Sequence, residues 1–460
     1  MKTSTAVKNE SYLSEHDIAT WRPDPLPADG EDLAQRLRDR LRACGHTDPR
    51  QLAGRAWAMG CVALEVTQRC NLDCTLCYLS ENSESVRDVP LVELFRRIDQ
   101  IRAHYGPGAR IQITGGDPTL RSRADLIAIV RRIRGRDMVP SLFTNGIKAT
   151  HGLLRALAAC GLADVAFHVD MTQQRKGFAA ECELNVVRRA YIERARGLGL
   201  GIIFNTTVFR GNFREIPDLV RFFVAHADAI KMASFQLQAD TGRGVLRARD
   251  EIITPQTVAL KIRQGAGAAI NFDAIMPGHP SCNKYASSLV IGGRVIDLLD
   301  DTAFVTGLFA RAARYRFEGR GTMARSLVVL GAVLANPGFF GRLLKWTAAK
   351  LWSIRHDIWR ARGRVTKLSF FIHNFQDAER LDAERCRACV FMVATADGPI
   401  SMCVHNAKRD AFILKPIPVT EPAGTKLWRP LPDTGEMRPP AGRLKGRARA
   451  SYSAKGRRRA

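Results

Sequence analysis

From Cys61 to about Asp240, short apolar runs alternate with longer amphipathic stretches, and that rhythm admits few folds. The apolar runs are CVALEVT, RIQIT, VPSLFT, ADVAFHVD, LGIIFNTTV and IKMASFQLQ, rich in β-branched and aromatic residues, as buried strands are. Between them, VPLVELFRRIDQIRAHYG, SRADLIAIVRRIRGR, HGLLRALAACG, ECELNVVRRAYIERARGLG and NFREIPDLVRFFVAHA carry apolar residues at helical spacing, several closed by Gly. A strand buried on both faces, followed by a helix that covers it, is the βα unit of a parallel sheet. Six such strands predict an α/β fold, a partial (β/α)6 TIM-like barrel over residues 61–240, whose working end is the C-terminal mouth of the strands.

The flanks read differently. Residues 1–60 are polar with one Arg-dense helix, EDLAQRLRDRLRACG, and form a helical extension in which no chemistry is visible. Residues 241–325 are a connecting region holding GHPSC, 326–365 a basic amphipathic helical insertion, 366–420 a C-terminal cysteine-rich region suited to an auxiliary iron-sulfur cluster and 421–460 a basic tail expected to be disordered. The last 23 residues carry nine basic residues and no acid, which predicts disorder there. In the insertion, Trp346, Trp352 and Trp359 stand among Lys345, Lys350, Arg355, Arg360, Arg362 and Arg364. That pattern suits an amphipathic helix lying on an anionic bilayer surface, or equally one packing its Trp face onto the barrel.

Composition narrows the class. With 460 residues, 46% hydrophobic and 25% charged, the chain is neither wholly disordered nor collagen-like nor a multi-span membrane protein. No stretch approaches the roughly 20 apolar residues of a membrane span, and MKTSTAVKNESYLSEHD has no hydrophobic signal region, so a cytoplasmic location is expected. The net charge of +25 leaves contact with the inner membrane face open.

Eleven cysteines are too few for a disulfide scaffold of this length, but their clustering is informative. Cys70, Cys74 and Cys77 form CNLDCTLCY directly after the first expected strand. Thiolates so spaced on one loop can reach three irons of a cubane and leave the fourth iron free to chelate a small molecule. A closed zinc site wants a fourth Cys or His nearby, and YLSENSESVRD offers none. Cys44, Cys61, Cys160 and Cys182 are single and read as small buried or surface residues.

CNLDCTLCY closely resembles the signature of the radical S-adenosylmethionine (SAM) superfamily. ITGGDPTL, with Gly115, Gly116, Asp117 and Pro118 after the second strand, resembles that superfamily's GGEP-type element, with Asp where Glu is commoner. The resemblance implies a catalytic 4Fe-4S cluster on Cys70, Cys74 and Cys77, and SAM bound by its amino and carboxylate groups. It further implies SAM contacts from Tyr78, from Gly115 to Pro118, from Thr144 and Asn145 in FTNG, from His168 and Asp170 in FHVD, and from Asn205 on the fifth strand. For His168, Asp170 and Asn205 an ordinary buried or rim polar role is equally open.

A second set, Cys386, Cys389 and Cys403 in ERCRACVFMVATADGPISMCVHNAKRD, has metal-ligand spacing but is one ligand short. Cys282 of GHPSC would complete a second 4Fe-4S cluster; His405 would instead make a Cys3His zinc site, and the Pro- and Gly-fixed turn favours Cys282. The combined elements, from about Cys61 to about Pro416, are similar to the group holding archaeal tetraether lipid synthases and pterin-modifying radical SAM proteins. That likeness implies hydrogen abstraction from an unactivated carbon of a lipid-like substrate, or alternatively modification or methylation of a pterin or peptide. It also implies a low-potential electron donor of the flavodoxin or ferredoxin type. No cobalamin-binding segment and no N-terminal cysteine set beyond Cys44 are apparent. A basic zinc protein binding nucleic acid is the remaining reading, and with 7% aromatic residues and no stacking platform nucleic acid is not the expected partner.

Overall fold

The computed structural model describes residues 12–432, apart from 52–53, 55–57, 250, 313–326, 328–329, 332–333, 336 and 423. Of the tail expected to be disordered, the described residues up to 432 include a strand at Gly424–Trp428, and the remainder, like most of residues 326–336, lies outside the described residues. Two helices, α1 (Glu15–Thr20) and α2 (Leu33–Ala43), precede the βα series. That series runs β1 (Cys61–Thr67), α3 (Leu91–Tyr105), β2 (Arg110–Gly115), α4 (Arg123–Gly135), β3 (Val139–Thr144), α5 (His151–Ala159), β4 (Asp164–His168), α6 (Asn185–Ala195), β5 (Gly201–Val208), α7 (Ile216–Ala225) and β6 (Ile230–Leu237). Then follow α8 (Pro255–Ala266), β7 (Asn283–Ile291), β8 (Arg294–Asp297), α9 (Thr302–Ala312), α10 (Pro337–Arg360) and β9 (Val365–His373). The chain closes with α11 (Ala383–Arg387), β10 (Phe391–Thr395), β11 (Gly398–Ser401), α12 (Met402–Ala407), α13 (Asp410–Ile413) and the hairpin β12 (Ile417–Glu421) and β13 (Gly424–Trp428).

All six expected strands form and pair in sequence order, each parallel to the next. The sheet has eleven strands in the order β11-β10-β1-β2-β3-β4-β5-β6-β9-β7-β8, open at both edges. β10 joins β1 in parallel and β9 joins β6 in parallel, so the C-terminal region prolongs the βα sheet at both sides. β7, β8 and β11 are antiparallel additions. β1 is buried at every position, as a central parallel strand with helices on its faces must be. Ser122 and Thr150 cap α4 and α5 through their side-chain oxygens, which fixes where each strand-to-helix turn ends.

One core unites the strands with the inner faces of α3 to α8. A second, smaller core joins Ala274, Ile275, Leu299, Phe304, Val305 and Phe339 beside β7 and β8. There Trp346 of α10 stacks on Phe304, with ring centroids 5.1 Å apart, and Ile354 is buried. Trp352 and Trp359 are 69% and 81% exposed, so α10 divides its aromatic residues between the protein and its outer face. Among the described residues no helix is long and apolar enough to cross a membrane.

Candidate active site

The first thiol loop leaves the C-terminal end of β1, at the mouth of the parallel strands. Cys70, Cys74 and Cys77 are half-buried, and the loop is fastened by Thr75 N–H to Thr172 O (2.8 Å) and Cys77 N–H to Gly244 O (3.0 Å). Burial, then the Asp117 charge and the neighbouring Cys77, push the Cys70 thiol up to about 12. Burial and the other two thiols raise Cys74 as well. Thiols that suppress one another's ionisation in this way become thiolates when a cation binds among them, which is what iron would do.

Gly115 and Gly116 bring the end of β2 into backbone contact with this loop. A Cβ on Gly115, which sits at φ 131°, would lie 1.9 Å from Thr67 O, and one on Gly116 would lie 2.0 Å from Arg69 O. Only glycine fits either place, and Gly116 N–H and Asp117 N–H donate to Thr67 O and Arg69 O (both 2.8 Å). The Asp117 carboxylate turns inward, accepting from Thr119 N–H (2.9 Å), Thr144 Oγ1 (2.8 Å) and Asn145 N–H (2.8 Å). It thus staples the mouth of β2 to that of β3. Burial raises its pKa, against those hydrogen bonds. Pro118 follows it in the turn, buried. Asn145 Nδ2 donates to Asn71 Oδ1 (2.7 Å) and stands 4.0 Å from Cys70 Sγ.

A second buried carboxylate, Asp170, does the same for β4 and β5, accepting from Thr172 N–H (2.9 Å), Thr207 N–H (2.7 Å) and His168 Nε2 (2.6 Å). Burial opposes a charge on the His168 ring, but the Asp170 charge and hydrogen bond outweigh it and raise the imidazole pKa. Burial likewise opposes ionisation of Asp170, and His168 overrides it to lower the carboxyl. Asn205 is buried opposite His168 in the β4–β5 register. Tyr78 donates its hydroxyl to Gly115 O, and the Arg409 guanidinium covers its ring at 4.7 Å. Arg409 in turn pairs with Glu65 of β1 (2.7 Å) and, although burial alone would raise that acid, holds it down at about 2.

The second thiol set assembles from three segments. Cys282 precedes β7, Cys386 lies on α11, Cys389 follows α11, and Cys403 lies on α12. Burial raises Cys386, and then Cys403, Cys389 and Cys282 each add to the rise; Cys403 reaches about 12 through burial, Cys389 and Cys282. Arg385 Nε donates to Cys282 Sγ (3.3 Å) and Gln376 Nε2 to Cys386 Sγ (3.5 Å). His405 lies elsewhere, stacked on Phe412 (5.1 Å) and near Glu65 and Arg409, with its pKa lowered to about 4 mainly by burial.

Donor spacing separates the chemistries. Among the described residues the one group of three or more Cys, His, Asp or Glu donors lying wholly within 4.8 Å is His46, His279 and Glu384. Neither thiol set closes to the 4.8 Å spacing that a single tetrahedral ion would need. In the His46 group, His46 Nε2 bonds Glu384 (3.2 Å) and His279 Nδ1 accepts from Ser281 N–H (3.1 Å), so it serves to tie residues 46–51 to the GHPSC loop and α11.

Residues 64–223 match the profile of the Radical SAM superfamily. That stretch is a radical SAM domain. It is 28% identical over 186 residues to 7,8-dihydro-6-hydroxymethylpterin dimethyltransferase of Methanocaldococcus jannaschii, covering 39% of this chain and 36% of that one. To the probable GTP 3',8-cyclase of Pyrococcus abyssi it is 33% identical over 162 residues, covering 35% and 51%. The match therefore spans about half or less of these relatives. Streptococcus suis SuiB bound to precursor peptide SuiA resembles the fold at 14% identity and a TM-score of 0.34, over half of each chain. Radical SAM proteins use a 4Fe-4S cluster and SAM, and the loop, the glycine contact and the thiol chemistry of this chain fit both. Sequence reasoning missed Arg243, Arg385 and Arg409. Of these, Arg243 alone carried a signal, as the centre of Gly-Arg-Gly beyond the sixth strand.

Proposed function

We propose that this protein binds SAM at a 4Fe-4S cluster held by Cys70, Cys74 and Cys77. A cluster held there would supply the one electron for reductive cleavage of SAM to methionine and a 5'-deoxyadenosyl radical, which would take hydrogen from an unactivated carbon. The observation that carries this reading is the three-thiol loop held in backbone contact with Gly115 and Gly116. In it, Asp117 and Asp170 act as staples that fix the strand ends at the C-terminal mouth of the sheet, leaving backbone groups of the Gly-Gly turn to meet the SAM amino group. Tyr78, braced by Arg409, offers its ring beside the loop, Asn145 reaches to within 4.0 Å of Cys70 Sγ, and His168 and Asn205, paired across β4 and β5, are candidate SAM contacts. Cys282, Cys386, Cys389 and Cys403 would hold a second 4Fe-4S cluster. A low-potential flavodoxin or ferredoxin would supply the electron.

For the substrate, the relatives favour a pterin, nucleotide or peptide. A lipid-like substrate taken up at a cytoplasmic membrane face draws support from α10, whose exposed Trp352 and Trp359 accompany a basic surface. After anaerobic reconstitution, dithionite should yield 5'-deoxyadenosine from SAM. Its stimulation by lipid, pterin or peptide pools identifies the substrate class, and flotation with anionic vesicles at low and high salt checks the membrane reading. Zinc in place of iron and sulfide, with no SAM cleavage, would overturn the enzyme.

A further inference from the structure

The segment Gly242-Arg243-Gly244, beyond β6, lies directly on the cluster loop. Cys77 and Gly244 exchange backbone hydrogen bonds (Cys77 N–H to Gly244 O 3.0 Å, Gly244 N–H to Cys77 O 3.2 Å), and Arg243 N–H donates to Leu79 O (2.7 Å). The approach leaves no room for side chains on either glycine. A Cβ on Gly242 would lie 2.5 Å from Cys77 O, and one on Gly244 would lie 2.7 Å from Cys74 O and from Cys77 N. Two glycines therefore let one arginine backbone reach the loop, and they fix where its side chain goes.

The Arg243 side chain is only 14% exposed. Its guanidinium meets Leu72 O (3.3 Å), Asp73 Oδ1 (3.4 Å) and Glu84 Oε1 (3.2 Å), all long contacts for a buried cation. Cys77 and Cys70 lie close enough to interact with it electrostatically, as does Cys74. The neighbouring acids Asp73 and Glu84 offset the charge only in part, since Glu84 is 42% exposed and its field is screened by water.

We infer that Arg243 is a positioning residue that sets the reduction potential of the cluster held by Cys70, Cys74 and Cys77, with Gly242 and Gly244 as the clamp that holds it there. This rests on the function proposed above. Adding one electron from the external donor makes a thiolate-ligated cluster more negative, and a fixed cation beside the thiols stabilises that reduced form more than the oxidised one. Arg243 thereby raises the midpoint potential without touching the electron or SAM.

The test is a redox titration followed by electron paramagnetic resonance on reconstituted full-length protein without SAM, in a Cys389→Ala background so that one cluster is read. Arg243→Gln should shift the midpoint to a more negative value, and Arg243→Lys, which keeps the charge, should stay near the parent. Iron content equal across the three shows that the shift is not loss of the cluster. An unchanged midpoint in Arg243→Gln, or an equal shift in Arg243→Lys, would overturn the inference. If the parent assembles no four-iron cluster, the proposed function fails first. If Arg243→Gln loses its iron, Asp73→Asn is read instead. Removing that offsetting acid should move the midpoint upward, and no movement would overturn the inference.

Discussion

Cys70, Cys74 and Cys77 sit within eight residues on one loop, whereas Cys282, Cys386, Cys389 and Cys403 come together from segments that the chain order separates widely. The first set is gripped from outside by glycines, Gly115 and Gly116 on one side and Gly242 and Gly244 on the other. The second is gripped by side chains, Arg385 on Cys282 and Gln376 on Cys386. Three thiols would ligate three irons of a cluster and leave the fourth open to a small ligand. Four thiols at a second cluster would ligate all four irons and leave no open position. That contrast is why we assign SAM chemistry to the first and electron or structural duty to the second.

Thiol replacement should break the comparison most visibly. Cys74→Ala is expected to abolish dithionite-driven 5'-deoxyadenosine formation, while Cys403→Ala keeps it. Equal loss in both would mean the two sets act as one site. Next in size is the strut that ties the C-terminal region to β1. Glu65 and Arg409 are both buried, so Arg409→Leu strands a carboxylate and should cost about 3–5 kcal/mol in denaturant unfolding, with Glu65→Leu added to it restoring much of the loss. Asp117→Asn should cost less, about 1.5–3 kcal/mol, because the amide keeps one acceptor for Thr119, Thr144 or Asn145.

The smallest effect is a pH dependence at the β4 mouth. His168 is raised above its ordinary 6.5, so the stability its protonated form contributes is fully present below 6.5 and is lost as pH rises through the raised value. Asp170 is lowered below 3.8, so its share is present above 3.8 and lost as pH falls through the lowered value. The pair therefore helps most between those limits. Thermal unfolding of His168→Gln against the parent should differ more at about pH 6 than at about pH 9, and a difference that is flat with pH would remove the ion pair from the account.

Local signals carried the βα series well. CVALEVT and LGIIFNTTV are the observed β1 and β5 to within a residue, because parallel strands buried on both faces leave continuous apolar runs. The partnership of β9 with β6 and of β10 with β1 was not legible. VTKLSFFIH and FMVAT look like strands, but nothing in either names a partner more than a hundred residues away. Spacing picked out Cys70, Cys74 and Cys77 and the three later cysteines Cys386, Cys389 and Cys403, but not the placing of Cys282 beside the latter. The inward turn of Asp117 and Asp170 was not, since a carboxylate in a strand-end motif looks the same whether it faces a ligand or the backbone of the next strand. Arg409 is one among 70 basic residues and only tertiary contact distinguishes it, whereas Arg243 is marked in the sequence by nothing more than its flanking glycines.

The central claim is that one cluster binds SAM and the other does not. Mössbauer spectroscopy of protein reconstituted with 57Fe, recorded with and without SAM, tests it most directly. The account predicts about eight irons per chain, a SAM-induced change confined to one cluster, and loss of that responsive signal in Cys70→Ala but not in Cys389→Ala. A responsive signal that survives Cys70→Ala, or that disappears in Cys389→Ala, would contradict it.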